Sequence, residues 1–414
     1  MTREVVISSY GIVSPIGQDS DSFEENLFAG RSGVKNLRGV TCAEDFPVPY
    51  AAYVPRETLG KSILFNDQEK ANVPKSWLMT EQATAQALSG LDPKTHVDAV
   101  VYGTADGVSY EMVESRMKNG APKDFNYLTY SCESSLEALR NTMAKLGFNR
   151  VGGKDLIVLN SACATGNQTI GIGYQGVKSG RWNRVLVGGV DARCEASNYL
   201  NFNMLGALTT DEVPPEKASR PFAKDRSGFV RGEGAAALVL EAREEAEKRG
   251  AKILAVISGY GCTSDAYRLT DCREDAASVV EAIEQAMRTS GLTPEDVDYI
   301  NAHGTSTPLN DRVETAAIKK VFGSRAYKVP VSSIKSQIGH STIAASAVEA
   351  VACVLMLKRQ MASPTINYNI PDPECDLDYV PNQSRAINMK HILSNSFGFG
   401  GQNTVIVLSL PERE

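Results

Sequence analysis

The chain is poor in the residues that most often announce a function. It holds four histidines and two tryptophans. Its eight cysteines, at positions 42, 132, 163, 194, 262, 272, 353 and 375, form no CxxC pair and no metal-ligand rhythm. Neither a zinc site nor a disulfide framework is supported, and in a reducing compartment most of these thiols serve as small buried hydrophobes. Basic residues are not in surplus: the net charge is -6, with no basic stripe of the kind a nucleic-acid binder shows. Long apolar runs are missing too. The best candidate, 343–357, is interrupted by Glu349, and the N-terminus lacks a basic segment followed by an apolar signal core. The expectation is a cytoplasmic protein with no nucleic-acid and no membrane partner.

What is present is ordinary for a folded soluble chain, with 42% hydrophobic and 22% charged residues over 414 positions. That length suffices for two or three domains or for one large two-part core. Residues 4–14 read as a β-branched strand, followed by a turn at Ser14-Pro15 and Gly17 and a helix near 21–28. A helix at 76–89 then leads through the pentapeptide SGLDP (89–93) to a strand at 97–102 and a glycine turn at Gly103. Two hundred residues later the grammar returns: helix 277–289, SGLTP (290–294), strand 297–300, then Gly304. The strand at 253–261 likewise echoes 4–11. A repeat spaced this widely is not a solenoid; it predicts a duplicated α/β half-molecule. Further strands are predicted at 156–159, 185–190, 234–240, 329–333 and 404–408, giving mixed, largely parallel sheets covered by helices. Residues 241–250 read as the helical link between an N-terminal half, 1–250, and a C-terminal half, 251–414.

The stretch at 155–180, DLIVLNSACATGNQTIGIGYQGVKSG, places Cys163 at a strand-to-helix turn. Unpaired N–H groups and the helix dipole favour negative charge at such an end, so the spacing predicts an activated thiol. Gly166, Gly171, Gly173 and Gly176 cost helix propensity, about 1 kcal/mol each relative to Ala. Their compensation is close approach, which predicts a helix buried against other backbone. Three other stretches put polar residues after strand-like runs, where parallel α/β sheets place their sites: NAHGTSTPLND around His303, SSIKSQIGH with Lys335 and His340, and NSFGFGGQN with Phe397 and Phe399. Two of the four histidines fall here. His96 and His391 read as surface or strand-end residues, and Trp77 and Trp182 as packing.

The joint occurrence of Cys, His, Lys and His in these contexts resembles the β-ketoacyl-acyl carrier protein synthases, the elongating condensing enzymes of the thiolase superfamily, which include the type II polyketide ketosynthases. The likeness runs from VVISSYGIVSPIG through RPFAKDRSGFVRGEGAAALVLE (220–241) to the GFGG loop. It implies an α/β thiolase fold, five-layered αβαβα, built from two similar halves. It also implies an acyltransferase that loads an acyl chain on Cys163 from a carrier-protein phosphopantetheine thioester. The backbone N–H groups of Cys163 and Phe399 would then form an oxyanion hole, with Phe399 and Phe397 at a gate. His303 and His340 would hold the malonyl thioester carbonyl as carbon dioxide leaves, and Lys335 would organise the field around them. By the same resemblance Thr305 and Thr307 line the pantetheine tunnel, and Gly107, Val108 and Phe202 the acyl pocket. Asp311, Glu314 and Glu349 act as buried supports, since a carboxylate on an apolar helix is costly unless paired. The enzyme itself would need no cofactor and no metal. Its partners would be an acyl carrier protein and a second ketosynthase chain, either identical or a chain-length factor. The apolar, glycine-rich helix after Cys163 is expected to be covered by that second chain.

Departures from the family's pattern sit near the gate. Ala223 and Ser227 stand where acidic residues are common, and Arg268 and Cys272 replace a histidine and a nearby proline. Residues 66–74, NDQEKANVP, lack a dense Lys/Arg helix to meet an acidic carrier, Pro74 would interrupt a helix, and Gly206 is less basic than the pattern. These changes favour a type II polyketide or polyene ketosynthase over a housekeeping fatty-acid elongating synthase. A thiolase would carry a second catalytic Cys where Asn395-Ser396-Phe397 stands, a priming synthase an Asn in place of His340, and a non-catalytic chain-length factor no Cys163.

Overall fold

The computed structural model describes residues 3–37, 50–104, 134–148, 155–194 and 196–412. Its backbone is organised by ten strands: β1 (Val5–Val13), β2 (Ala99–Gly103), β3 (Leu156–Leu159), β4 (Arg184–Asp191), β5 (Gly234–Ala242), β6 (Ala255–Ser264), β7 (Tyr299–Asn301), β8 (Val331–Ser332), β9 (His391–Gly398) and β10 (Gln402–Ser409). They hydrogen-bond in the order β3-β2-β4-β5-β1-β6-β10-β9-β7-β8. Reading outward from the centre, the first five run 1-5-4-2-3 and the second five 6-10-9-7-8, the same order with every number raised by five. The halves join where Val5 to Ile7 of β1 pair with Ala255 to Ile257 of β6. Six helices complete the repeat: α1 (Lys75–Leu88), α2 (Ser134–Lys145) and α3 (Thr165–Lys178) in the first half, α4 (Ala277–Ser290), α5 (Pro308–Phe322) and α6 (Ala345–Arg359) in the second.

Local sequence explains these elements. Helix α4 buries Val279, Ala282, Ile283, Ala286 and Met287, a helical stripe, and stops at Gly291, whose φ of +72° closes the cap as the SGLTP reading requires. Pro74 does not break a helix; it precedes α1 and ends the short helix Asp67–Asn72 before it. Helix α6 is buried from Ala345 to Leu357 and α3 over most of its length, so these two form the middle layer, touching β5 and β9 from one and β2 and β4 from the other. Helices α1 and α2 cover the outer face of the first sheet half, and α4 and α5 that of the second. The result is the five-layered arrangement.

Two expectations are corrected. The sheet is not largely parallel: of its nine strand pairings five are antiparallel, because β1, β5, β6 and β10 all meet their neighbours antiparallel at the centre. Hydrophobic runs do not carry strand direction, so the sequence could not show it. Nor does α3 need a second chain to hide it. A Cβ on Gly166 would lie 2.3 Å from Ala347 N, one on Gly171 2.3 Å from the Tyr260 ring, and one on Gly176 2.0 Å from Trp182. The glycines bring this chain's own β6, α6 and Trp182 into contact with the helix.

Candidate active site

Cys163 stands between β3 and α3, two residues before the helix begins. Ala162 ahead of it has φ +49°, a left-handed strain of about 1–2 kcal/mol that turns the chain sharply and lifts Cys163 to the helix entrance. The turn is tied by Ser161 N–H to Thr165 Oγ1 at 2.8 Å and by the Ser396 hydroxyl of β9, which donates to the Cys163 carbonyl at 2.7 Å. The loop after β9 folds over the thiol. A Cβ on Gly398 would fall 2.8 Å from Ser161 O and 3.2 Å from Cys163 N, so only glycine lets it come this near. That approach brings the Phe399 N–H into hydrogen-bonding range of Cys163.

The second half supplies the rest. His303 follows β7 and His340 follows the short helix Lys335–Ile338. His340 Nε2 lies 3.0 Å from Cys163 Sγ, and the two imidazole centroids are 5.4 Å apart, edge to face. Phe397 stacks edge-on to His303 at 5.5 Å, and Phe229 to His340 at 5.2 Å. Burial pushes both imidazoles well below their ordinary range, and the Lys335 cation pushes further in the same direction. Both are therefore neutral. Among the described residues neither Nδ1 has a hydrogen-bond partner. A buried orphan N–H costs more than a buried orphan lone pair, so the favoured tautomers carry their protons on Nε2. Two N–H donors then point at the space beside the sulfur.

Burial pushes the Cys163 thiol up to about 11, against Lys335, the Phe399 N–H and Arg231, which all favour the thiolate. The expected activation is thus corrected: near a helix entrance but almost fully buried at the end of a cavity, the thiol loses more to desolvation than it gains from the field, and it rests protonated. Lys335 and Glu349 form a fully buried ion pair. Burial holds the Glu349 carboxyl up, to about 7, despite the ammonium beside it.

Glu314 accepts the main-chain N–H groups of His303 and Gly304, each at 2.8 Å, and the Asn395 amide at 3.0 Å. Asp311 accepts from the Phe222 N–H at 2.8 Å and from the Ser306 N–H, with Arg226 at 3.5 Å. Both carboxylates thus hold the 303–307 loop by its backbone. Thr305 and Thr307, their hydroxyls 2.8 Å apart, line a cavity of about 270 Å³ that reaches Cys163, together with both histidines, Phe397, Phe399, Leu205 and Cys272. Ser227 also lines it, whereas Ala223 is buried away from it in a bridge to Pro371. Phe202 lies behind the cavity wall, 5.6 Å from the Phe229 ring and 6.5 Å from the Phe399 ring. Gly107 and Val108 lie outside the described residues. His96 is exposed beside Asp98, and His391 contacts Ser409 at the edge of β9.

Sequence reasoning missed Arg231 and Asp191, a buried ion pair behind His340, and Ser396, which holds the Cys163 carbonyl. An arginine inside the apolar run FVRGEGAAALVL was the available signal for the first. The donor atoms of Cys163, His303 and His340 lie within 4.8 Å of one another, the one metal-compatible group among the described residues. Lys335, whose charge acts on all three, opposes a further cation there. The arrangement suits other chemistry, in which a nucleophile stands beside a main-chain donor and two neutral imidazoles.

Comparison with known proteins agrees with that chemistry. Residues 2–246 match the family model "Beta-ketoacyl synthase, N-terminal domain" and residues 254–369 the model "Beta-ketoacyl synthase, C-terminal domain". The 3-oxoacyl-[acyl-carrier-protein] synthase 2 of Coxiella burnetii is 37% identical over 412 residues, 98% of each chain. The putative polyketide beta-ketoacyl synthase 1 of Streptomyces cyaneus is 36% identical over 423 residues, 99% of each. Among solved structures, the ishigamide ketosynthase/chain length factor covers 100% of both chains with a TM-score of 0.86 and 31% identity.

Proposed function

Because the chain belongs to the β-ketoacyl synthase family, thiolase-fold enzymes that condense acyl groups, we propose that it extends a Cys163-bound acyl chain by two carbons from malonyl-acyl carrier protein, as the ketosynthase of a type II polyketide or polyene system. The observation that carries the reaction is the meeting of thiol, two neutral imidazoles and the Phe399 N–H at one cavity.

Transfer begins when the Cys163 sulfur attacks the acyl thioester. The carbonyl oxygen, now negative, sits against the N–H groups of Cys163 and Phe399, and the thiol proton leaves with the phosphopantetheine sulfur, so the exchange is proton-neutral. Malonyl thioester then enters past Thr305 and Thr307. Its carboxylate departs as carbon dioxide, the electron pair moves into the thioester, and the enolate oxygen is held by the Nε2–H groups of His303 and His340. The enolate carbon attacks the acyl-Cys163 carbonyl and the sulfur leaves. One proton is consumed there, and a group pushed up to about 11 takes it readily at neutral pH. Two donors on one enolate oxygen are each worth about 10²-fold or more. His303→Ala or His340→Ala should therefore slow carbon dioxide release by at least that, with acylation of Cys163 slowed about tenfold at most. Equal slowing of both steps would contradict the division of labour.

The polyketide reading draws support from Ser227 and Cys272, departures that line the cavity and so meet the substrate. Housekeeping fatty-acid elongation is the second reading, favoured by the 37% identity to the Coxiella burnetii enzyme. We also place the enzyme in the cytoplasm, in keeping with six described cysteines that are free thiols. We assign the nucleophile to a half spanning 1–250, and His303, Lys335, His340 and the GFGG loop to a half spanning 251–414. Intact-mass analysis after incubation with a panel of acyl-carrier proteins, with Cys163→Ala as control, tests the pathway. Loading only when a Cys-lacking homologue is bound supports the polyketide system; a chain that alone loads medium or long saturated acyl groups supports fatty-acid elongation. Condensation retained in Cys163→Ala would overturn the mechanism.

A further inference from the structure

His340 is presented by a turn under unusual constraint. Gly339 before it has φ +63° and Thr342 after it φ +32°, both in the left-handed region. Its main chain is tied on both sides to the strand Arg231–Gly232: the His340 N–H donates to Val230 O at 2.8 Å, and Gly232 N–H donates to His340 O at 3.0 Å. The Arg231 side chain then wraps the same turn. Its guanidinium donates to Thr342 Oγ1 at 3.3 Å, to the Arg193 carbonyl at 3.2 Å and to Asp191 Oδ1 at 3.3 Å, and reaches the His340 carbonyl at 3.5 Å. Asp191 in turn accepts the Thr342 hydroxyl and both arms of Arg193, at 3.0 and 2.9 Å. Neither Arg231 nor the Asp191 side chain has any exposure, and neither lines the cavity that holds Cys163. A buried ion pair is a poor source of stability compared with apolar residues of similar volume. Three contacts of this one fall on the turn that carries His340, and the others tie that turn to Arg193.

We infer that Asp191 and Arg231 are positioning residues of the condensation: the pair clamps the 339–342 turn that presents His340 and sets the electrostatic field at its imidazole. The inference rests on the role given to His340 above. The groups facing that ring are the Cys163 thiol at the entrance of α3, His303 after β7 with Glu314 behind it, and Lys335 with Glu349 of α6 behind it. On the remaining side stand Arg231 with its neighbour Glu233, and Asp191 at the end of β4 with Arg193 beyond it. Burial, Lys335 and Arg231 push the imidazole toward its neutral form, and Asp191 pushes the other way. Removing the arginine therefore takes away a cation and leaves the carboxylate less compensated, and both changes favour the imidazolium. Removing the aspartate does the opposite. Removing both leaves the field nearly unchanged and loses the clamp alone.

The test uses the full chain and its four histidines, isotope-labelled for NMR titration, alongside separate single-turnover measurements of acylation and of malonyl-carrier decarboxylation. In Arg231→Met the His340 signal is expected to titrate at least half a pH unit higher than in the parent. Decarboxylation should fall about tenfold or more, while acylation of Cys163 stays within about threefold. Arg231→Lys keeps the charge and loses the fork, so its titration should return toward the parent while its rate stays low. Asp191→Asn/Arg231→Met, the variant best able to fold because it removes both buried charges and takes a partner only from the partly exposed Arg193, should titrate like the parent and still decarboxylate slowly. An unmoved His340 titration in Arg231→Met, or equal slowing of both steps across the series, would overturn the inference. His340→Ala is the control for the reading beneath it: if that variant decarboxylates normally, the role of His340 fails; if it is slow and the pair variants are normal, the inference fails alone.

Discussion

At Cys163 two effects of opposite sign meet: a helix entrance with Lys335 and a main-chain N–H favours the thiolate, and burial disfavours it. With the group held up at about 11, the thiolate fraction at pH 7 is about 10⁻⁴, and it grows about tenfold per pH unit. Alkylation of Cys163 by iodoacetamide, followed by peptide mass, should therefore keep rising steadily from pH 7 to pH 9.5. A plateau near pH 8 would show an activated thiolate instead. Lys335→Met removes the largest influence on the thiolate side and should slow alkylation several-fold at any pH in that range. That Cys163, His303, Lys335 and His340 come together was legible in the sequence because each follows a strand-like run in a stretch of unusual composition. Their protonation states were not. Those depend on residues a hundred or more positions away, such as Ser396 on the Cys163 carbonyl and Arg231 behind His340, and no local pattern encodes a distance across the fold.

Helix α3 shows what an element's composition does and does not reveal. Four glycines in fourteen residues signalled close approach, and the structure supplies the approaching groups. The sequence could not tell whether they belong to this chain or to another, and the expectation of a covering second chain was wrong for this helix. Substitution can test the contact. In an ordinary helix, glycine to alanine gains about 1 kcal/mol. At Gly166 the new Cβ would stand 2.3 Å from Ala347 N and 3.0 Å from Ala347 Cα, backbone atoms of α6 that have no rotamer to move into. Overpacking of this kind costs about 1–3 kcal/mol and outweighs that gain, so Gly166→Ala is expected to be destabilised by up to about 2 kcal/mol net, read as a lower urea midpoint with an unchanged slope. A stabilised variant would mean that α3 and α6 are not in contact. The duplication was legible for a related reason: SGLDP and SGLTP recur because each half needs a helix stop before a strand, although the stops are built differently, with Ser89 right-handed after α1 and Gly291 at φ +72° after α4. Strand direction stayed hidden, since β1 and β2 are both apolar runs yet pair in opposite senses with their neighbours.

For the whole molecule, the ten-stranded sheet ends at β8, whose two residues are buried, and at β3, where Val158 is 43% exposed. An open, apolar edge invites pairing with another chain unless something covers it. Val100 N–H donates to Asp155 O at 3.0 Å and Thr104 N–H to Leu159 O at 3.4 Å, so in this parallel pair the odd-numbered residues of β3 bond to β2. The N–H and C=O of Leu156 and Val158 therefore point outward and, among the described residues, meet no further strand, which leaves them able to ladder with a second copy or with a homologous partner. We propose that a second chain pairs along this edge, only four residues before the nucleophile. Proline at 158 removes an outward donor and leaves the ladder to β2 intact, since edge strands accept proline where the N–H faces away. Val158→Pro is thus expected to keep its melting temperature within a few degrees at low concentration while its sedimentation shifts to the monomer. If the pairing also fixes the Ala162 turn, acyl loading of Cys163 should fall in step with the monomer fraction and recover as protein concentration rises. A variant that remains dimeric would place the contact elsewhere. One that is monomeric and loads as fast as the parent would show that each chain completes its own nucleophile.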